Sequence, residues 1–279
     1  MNKKIEYSKN ELIRLYISCG SIGKVAAELS KAYSTVRYWF KKYGIETQES
    51  CMTVYQEIRK TPLSDLQKSV VLGSVLGDGT LRLAPHSKNA YLKIGHCEKQ
   101  RKYLEWKKKL LDPFSRPVVL SQKEQQKIIA GRKTYSTNQY EFRTIAHPDI
   151  TYYYKTYYSR NHKHILCNNV IDSLNLIALA IWFADDGSVY VDKRNGTVSC
   201  MIATNSFDYV EQTILKKAVS KFFQGTINIR PQYSNGRNDM LLRMYGTKKL
   251  IDFLFMISSV LPTSIHYKLG LQRLGVKLP

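Results

Sequence analysis

The stretch VLGSVLGDGTLRL, residues 71–83, decides how this chain is read. It is an apolar run that stops at Asp78-Gly79 and then alternates apolar with polar residues. A second stretch of the same kind, LAIWFADDGSVYV, occupies residues 179–191 and stops at Asp186-Gly187. The two aspartates are 108 residues apart, and the pairs Ile94/Ile202 and Phe114/Phe222 repeat at that offset. Further on, NQYEFRT (138–144) matches NDMLLRM (238–244) at an offset of 100, and Lys163 and Lys268 follow at 105. Drifting offsets are what loop insertions and deletions produce, so the chain carries two copies of one unit of roughly 100 residues.

Each copy opens with an apolar helix that ends at Asp78 or Asp186. Period-two alternation predicts strands over 79–84 and 91–96, and over 187–192 and 198–204. Helices over 98–111 and 207–223 follow, the second with Tyr209, Ile214, Leu215, Val219 and Phe222 at helical spacing. Strands over 117–122 and 139–145, and 226–232 and 239–245, precede closing helices over 148–158 and 247–260. The order is αββαββα, twice. Alternating strands imply antiparallel sheets with one covered and one open face, in an α+β class.

Residues 9–45 read as three further helices, with Leu12, Ile13, Leu15, Tyr16, Ile17, Val25, Ala26, Leu29, Val36, Trp39 and Phe40 facing inward. SIGKVAAELSKAYSTVRYWFKKYGI resembles a helix-turn-helix, with Ser30 where a glycine is common and Lys31 where an apolar residue is common. Its last helix offers Ser34, Thr35, Arg37, Tyr38 and Lys41 to base edges and phosphates. A bundle used only for packing is the alternative. Residues 1–48 hold nine basic and four acidic residues, so most of the charge lies elsewhere. The expected domains are 1–48, a linker over 49–62, a first unit over 63–160 and a second over 161–279.

The 279 residues include 43 Lys and Arg against 22 Asp and Glu, a formal charge of +21. That excess points to a polyanion, and 43% hydrophobic residues exclude disorder as the main state. The longest apolar run, Leu176 to Ala184, is too short to span a bilayer. Met1 is followed by Asn2, Lys3 and Lys4, with no signal-peptide core. Five scattered cysteines with no CxxC favour neither a zinc knuckle nor a disulfide framework. The expectation is a cytoplasmic protein of bacterial or phage type, with an organelle as the alternative compartment, acting on nucleic acid and not on a membrane.

The two Asp-Gly helix ends point to chemistry. Gly73, Gly77, Ala178 and Ala180 would let the two apolar helices approach closely, so that Asp78 and Asp186 meet at a pseudo-twofold interface. A negative charge is unfavourable at a helix C-terminus, and two carboxylates together repel. Divalent cations between them remove both costs, and hard oxygen ligands favour Mg²⁺. Such a site beside open basic sheets suits phosphodiester hydrolysis. The alternative is Asp-Gly as a plain helix stop. Alternation nominates Arg82, Lys93, Arg143, Tyr190, Lys193, Arg194, Asn228, Arg230, Gln232 and Arg243 as groove-facing residues. The cluster Tyr152, Tyr153, Tyr154, Tyr157 and Tyr158 reads as helix packing, and His162, His164 and His266 as structural or phosphate neighbours.

VLGSVLGDG (71–79) and LAIWFADDG (179–187) resemble the two motifs of the LAGLIDADG homing endonucleases, in their single-chain branch. The likeness continues through ATNSFDYVEQTIL (203–215) and VLPTSIHYKLG (260–270). The resemblance implies a monomer that imitates a homodimer. Its saddle-shaped sheets would lie in the major groove of a long, poorly palindromic double-stranded DNA site, and cleavage would leave a staggered double-strand break. It implies Asp78 and Asp186 as metal ligands, with Asp185 not a main ligand, and Lys163 and Lys268 as their catalytic companions. Ser74 and Leu76 depart from the motif. So does Ile181, which stands where a glycine is usual and is expected to loosen the helix contact. An intron maturase acting on intron RNA and a non-catalytic DNA-binding regulator are the alternative functions. The sequence leaves the host element open among intron, intein and free-standing gene.

Overall fold

Leu12, Ile22, Val25, Ala26, Val36 and Phe40 come from three helices and bury one another. The helices are α1 (Lys9–Cys19), α2 (Ile22–Glu28) and α3 (Tyr33–Lys42). The computed structural model describes residues 7–19, 21–47, 55, 57–129, 132–159, 162–164, 169–192, 194–234 and 237–274. The chain divides into two compact units, residues 1–61 and 62–279. Ser21 caps α2, its hydroxyl accepting from the Lys24 N–H at 3.3 Å. Ile17 departs from the sequence reading and is 77% exposed. Five residues on from Leu12 a helix has turned by about 140°, which carries Ile17 to the solvent side.

The turn between α2 and α3 explains the glycine usual at position 30. Ser30 has φ +50°, a left-handed conformation that costs a non-glycine residue about 1–2 kcal/mol. Ser30→Gly relieves that strain and returns part of it as unfolded-chain entropy. The expected result is a gain of about 0.5 kcal/mol and a rise of a few degrees in the melting temperature of this unit, read by circular dichroism. A drop in melting temperature would mean that the Ser30 side chain contributes more than its backbone costs.

In the larger unit, α4 (Asp65–Leu76) starts at a capping box. The Ser64 hydroxyl accepts from the Gln67 N–H and the Gln67 side chain accepts from the Ser64 N–H. Strands β1 (Thr80–Arg82) and β2 (Tyr91–Cys97) follow, then α5 (Arg101–Leu110), β3 (Val119–Gln122), β4 (Gln125–Ile129), β5 (Arg132–Ser136), β6 (Gln139–Arg143) and α6 (Pro148–Tyr157). A short ribbon, β7 (Tyr158–Ser159) and β8 (His162–Lys163), and a short helix α7 (Asn169–Ser173) lead to the second copy. That copy is α8 (Leu176–Asp186), β9 (Gly187–Val191), β10 (Val198–Ala203), α9 (Tyr209–Ser220), β11 (Thr226–Ser234), β12 (Arg237–Tyr245) and α10 (Thr247–Ser258).

The two copies build the same antiparallel sheet. The orders are β1-β2-β6-β3 and β9-β10-β12-β11. The registers coincide as well: Thr80 pairs Lys93 and Ile94 pairs Phe142, while Ser188 pairs Met201 and Ile202 pairs Leu242. One face of each sheet is the core, with Leu81, Leu92, Ile94 and Phe142 in the first and Cys200, Ile202, Leu242 and Met244 in the second. A register slip of one residue would turn those side chains outward, so the buried face fixes the pairing.

Three details differ from the sequence reading. The first copy carries an extra ribbon, β4 with β5, between β3 and β6. The buried phenylalanine equivalent to Phe114 is Phe223, with Phe222 only half-buried. Tyr209 is 65% exposed at the start of α9, where Glu211 and Gln212 are the buried residues.

α4 and α8 cross at close range. A Cβ on Gly73 would stand 2.5 Å from the Ala178 carbonyl oxygen and 2.9 Å from the Ile181 Cβ, and one on Gly77 would stand 2.6 Å from the Asp185 Cβ. At the 108-residue offset, Gly73 is equivalent to Ile181 and Gly77 to Asp185. Equivalent positions therefore face each other, as an interface with twofold character requires. Ile181 does not loosen the contact. The missing side chain of Gly73 makes room for it, and Ile181 is fully buried.

Candidate active site

α8 is apolar all round after its first turn, α4 is buried over its second half, and each leads into an acid. α8 buries Ala178 through Asp185 continuously, and α4 buries Ser69 through Leu76. Helices buried on every side sit between other layers, so their ends are placed rigidly. Asp78 lies just past the end of α4 and Asp186 is the last residue of α8. Burial raises the Asp78 carboxyl above the usual range, with the Asp185 charge adding to it. Asp186 is pushed up to about 7 by burial first, then by the charges of Asp78 and Asp185.

The two lysines tie off the carbonyl ends of these helices. Lys163 Nζ donates to the Gly77 oxygen at 2.8 Å. Lys268 Nζ donates to the Ala184 and Asp185 oxygens at 2.6 and 2.7 Å. A cation at a helix C-terminus is favourable. Burial lowers the Lys163 ammonium below the usual lysine range. Sequence reasoning and structure thus agree on bringing Asp78, Asp186, Lys163 and Lys268 to one place.

The structure adds residues that sequence reasoning missed. Asp185 is fully buried and accepts from Lys107 Nζ at 2.6 and 2.8 Å, both side chains having no exposure. The Tyr103 hydroxyl donates to Asp185 Oδ1 at 3.1 Å and the Asp78 N–H to Oδ2 at 3.3 Å. Lys107 lies 4.5 Å from the Tyr103 ring centroid and 3.3 Å from His96 Nε2. His96 Nδ1 stands 3.5 Å from Asp78 Oδ2. Burial first, then the Lys107 charge, lowers the His96 imidazole to about 4, so it is neutral at pH 7. Asp78, His96 and Asp185 offer ligand atoms all within 4.8 Å of one another, and the Lys107 ammonium already contacts two of the three residues. Their signal was present in the sequence. Lys107 continues the Tyr103–Leu104 stripe of α5, and His96 continues the Leu92–Ile94 alternation of β2.

Most of the nominated groove residues lie on strands. Arg82, Arg143, Arg230 and Arg243 are exposed strand residues, and Tyr190 is 63% exposed. Lys93, Asn228 and Thr35 are half-buried. Arg143 stands opposite Lys93, and Arg243 stands opposite both Met201 and Asn228, so each sheet has one such row across its open face. Lys93 is held by Glu141 at 2.6 Å. Arg194 sits in the turn after β9 and reaches Asp192 at 3.3 Å. Ser34, Arg37, Tyr38 and Lys41 are exposed on α3. Lys193 and the side chain of Gln232 lie outside the described residues. Of the tyrosine cluster, Tyr153 and Tyr157 pack inward while Tyr152 is exposed. The His266 ring contacts the Leu261 oxygen at 3.0 Å.

The model of the LAGLIDADG DNA endonuclease family matches residues 68–250, more than half of the chain. The chain belongs to that family. The match takes in Asp78, Lys163 and Asp186, and Lys268 lies beyond it. Among curated relatives, the protein RecA of Mycobacterium shimoidei is 26% identical over 215 residues, covering 74% of this chain and 47% of that protein. The chain thus spans about half the length of that relative. The probable intron-encoded endonuclease 1 of Wickerhamomyces canadensis is 27% identical over 161 residues, covering 56% of this chain and 64% of that protein. Among solved structures, the homing endonuclease I-WcaI bound to its DNA recognition sequence superposes with a TM-score of 0.63 at 20% identity. The match covers 77% of this chain and 91% of that one, and it shows the family fold. Among the described residues no helix is long and apolar enough to cross a membrane.

Proposed function

We propose that this chain is a monomeric, site-specific homing endonuclease of the cytoplasm that makes a staggered double-strand break in a long double-stranded DNA target. The observation that carries the reading is the placing of two carboxylates, Asp78 and Asp186, at the ends of two closely packed equivalent helices, near enough for the Asp78 charge to help push up Asp186, beside two equivalent sheets. Charged groups that are expensive to hold together persist where a ligand offsets the cost. Their donors are hard oxygens, which fit a divalent cation of the Mg²⁺ type. Such an ion, when bound, would supply positive charge against the scissile phosphate and its leaving oxygen and ease the loss of a proton from the attacking water.

The chain's own residues do the rest. Asp78 and Asp186 sit at the ends of buried helices, which fixes where their side chains start. Lys163 and Lys268 spend part of their donor capacity on helix-end carbonyls and keep the remainder for phosphate oxygens or water. The basic rows on the sheets track the backbone and read base edges. We assign the amino-terminal helices, through Ser34, Thr35, Arg37, Tyr38 and Lys41, to a helix-turn-helix that adds contacts outside the main site.

The test is cleavage of a randomised duplex library with Mg²⁺, with the cut ends sequenced. One long consensus with staggered ends, lost in EDTA, is the expected result. Tight binding without cutting would replace this reading with a maturase or regulator. Binding should also weaken about 10³–10⁵-fold between 50 and 200 mM salt, as for a protein that neutralises six to ten phosphates. A flat plot of log affinity against log salt would contradict a groove-tracking surface.

A further inference from the structure

We propose that His96 is a positioning residue for the Asp78 carboxylate, held in place by Lys107 and Asp185, and that this device exists in one half of the molecule only. The inference rests on the endonuclease reading above. Lys107 directs its ammonium donors to both oxygens of Asp185 and to His96 Nε2. An ammonium has no lone pair, so Nε2 accepts, which leaves the ring hydrogen on Nδ1, and the Gln100 side chain is a further hydrogen-bond partner of the ring. Nδ1 faces Asp78 Oδ2 across 3.5 Å.

The two partners differ in freedom. The His96 side chain is 2% exposed and packs against the Tyr103 ring at 5.3 Å, whereas the Asp78 side chain is 41% exposed. The donor is fixed and the carboxylate is the group that adjusts. A fixed donor behind a metal-binding group orients it, and its loss typically costs about 10–100-fold in metal affinity or activity. The cluster of Asp78, His96 and Asp185 is not a second ion site. The Lys107 ammonium already lies between two of its three members and serves as their cation.

The second half lacks the device. At the 108-residue offset, Thr204 stands for His96 and Leu215 for Lys107. The Thr204 hydroxyl donates to the Met240 oxygen at 3.4 Å, and Leu215 is fully buried. Gly77 stands for Asp185 and has no side chain to offer. The halves share a fold and register but differ beneath their acids, so the two strands of a target meet unequal centres.

The test uses the full chain as wild type, His96→Leu, His96→Phe and His96→Gln, each checked for folding by its circular dichroism melt. Mn²⁺ binding without DNA is followed by electron paramagnetic resonance. His96→Leu and His96→Phe should weaken Mn²⁺ about tenfold, and His96→Gln, whose amide can donate in place of Nδ1, should recover most of that. On a duplex selected with the wild type, strand-resolved nicking should slow about tenfold on one strand and hold on the other. Equal slowing of both strands, or unchanged Mn²⁺ affinity in folded His96→Leu and His96→Phe, overturns the inference and leaves the endonuclease reading intact. A folded wild type that binds no Mn²⁺ and cuts no library duplex overturns the endonuclease reading, and this inference falls with it.

Discussion

Asp186→Asn should slow double-strand cleavage by at least about a hundredfold, because on the proposed reading it removes one of two carboxylates from the reacting centre. Affinity for the same duplex should hold or tighten, since the variant deletes a negative charge from a surface proposed to bind a polyanion. The same substitution has an opposite effect on stability. The Asp186 carboxyl is pushed up to about 7, against roughly 3.9 in an unfolded chain. Between those values the folded protein holds a proton that the unfolded chain has lost, so the metal-free protein loses stability as pH rises through that window. Asparagine has no proton to lose. In EDTA at pH 8 the variant should exceed the wild type by on the order of 1–2 kcal/mol, and below pH 4 the difference should vanish. Thermal melts at pH 4, 5 and 8 check the sign, and filter binding with cleavage at saturating Mg²⁺ checks the chemistry. Wild-type cutting rates in the variant would remove Asp186 from the mechanism.

Lys107→Met costs about 3–5 kcal/mol of folding stability, the largest single loss expected outside the apolar core. The substitution keeps the bulk of the side chain and deletes the ammonium, so Asp185 is left as a buried carboxylate without its cation. Tyr103 and the Asp78 N–H still donate to it but cannot balance its charge. Adding Asp185→Asn to Lys107→Met should restore most of the loss, because the remaining groups are neutral and still hydrogen-bonded. Urea unfolding at pH 7 of the two single variants and the double variant forms the cycle. A cost below about 1 kcal/mol for Lys107→Met would mean that water reaches Asp185 when the ammonium goes.

Much of this is legible in the sequence. The Asp-Gly ends, the offset of 108 and the alternation of Leu92 and Ile94 against Ile202 foretold two equivalent sheets, because burial of one face writes period two into the sequence. That Asp78, Asp186, Lys163 and Lys268 lie together was an expectation of the family resemblance, and the two lysines do sit on carbonyls at the ends of the motif helices. The support beneath them was not expected. Lys107 sits in the run Lys107-Lys108-Lys109, which reads as a solvated face until its helical phase with Tyr103 and Leu104 is noticed. Its partner Asp185 is 78 residues away, and no local pattern announces a contact across copies. The β4–β5 ribbon was missed for the opposite reason. Its sequence is mostly polar, so it leaves no alternation to find.

The Lys107–Asp185 pair also decides which halves of such a molecule can be partners. Two first halves placed face to face would set each Lys107 against a Gly77, a buried cation with no counterion. Two second halves would set Asp185 against Asp185 with Leu215 where an ammonium is needed. Only the unlike pairing neutralises both charges. The duplicated chain has therefore lost the self-complementarity of a homodimer, and its halves are no longer interchangeable parts. A hybrid that joins either half to one from another member of the family needs a matching lysine or carboxylate at these two positions before its sheets can be asked to read a new target.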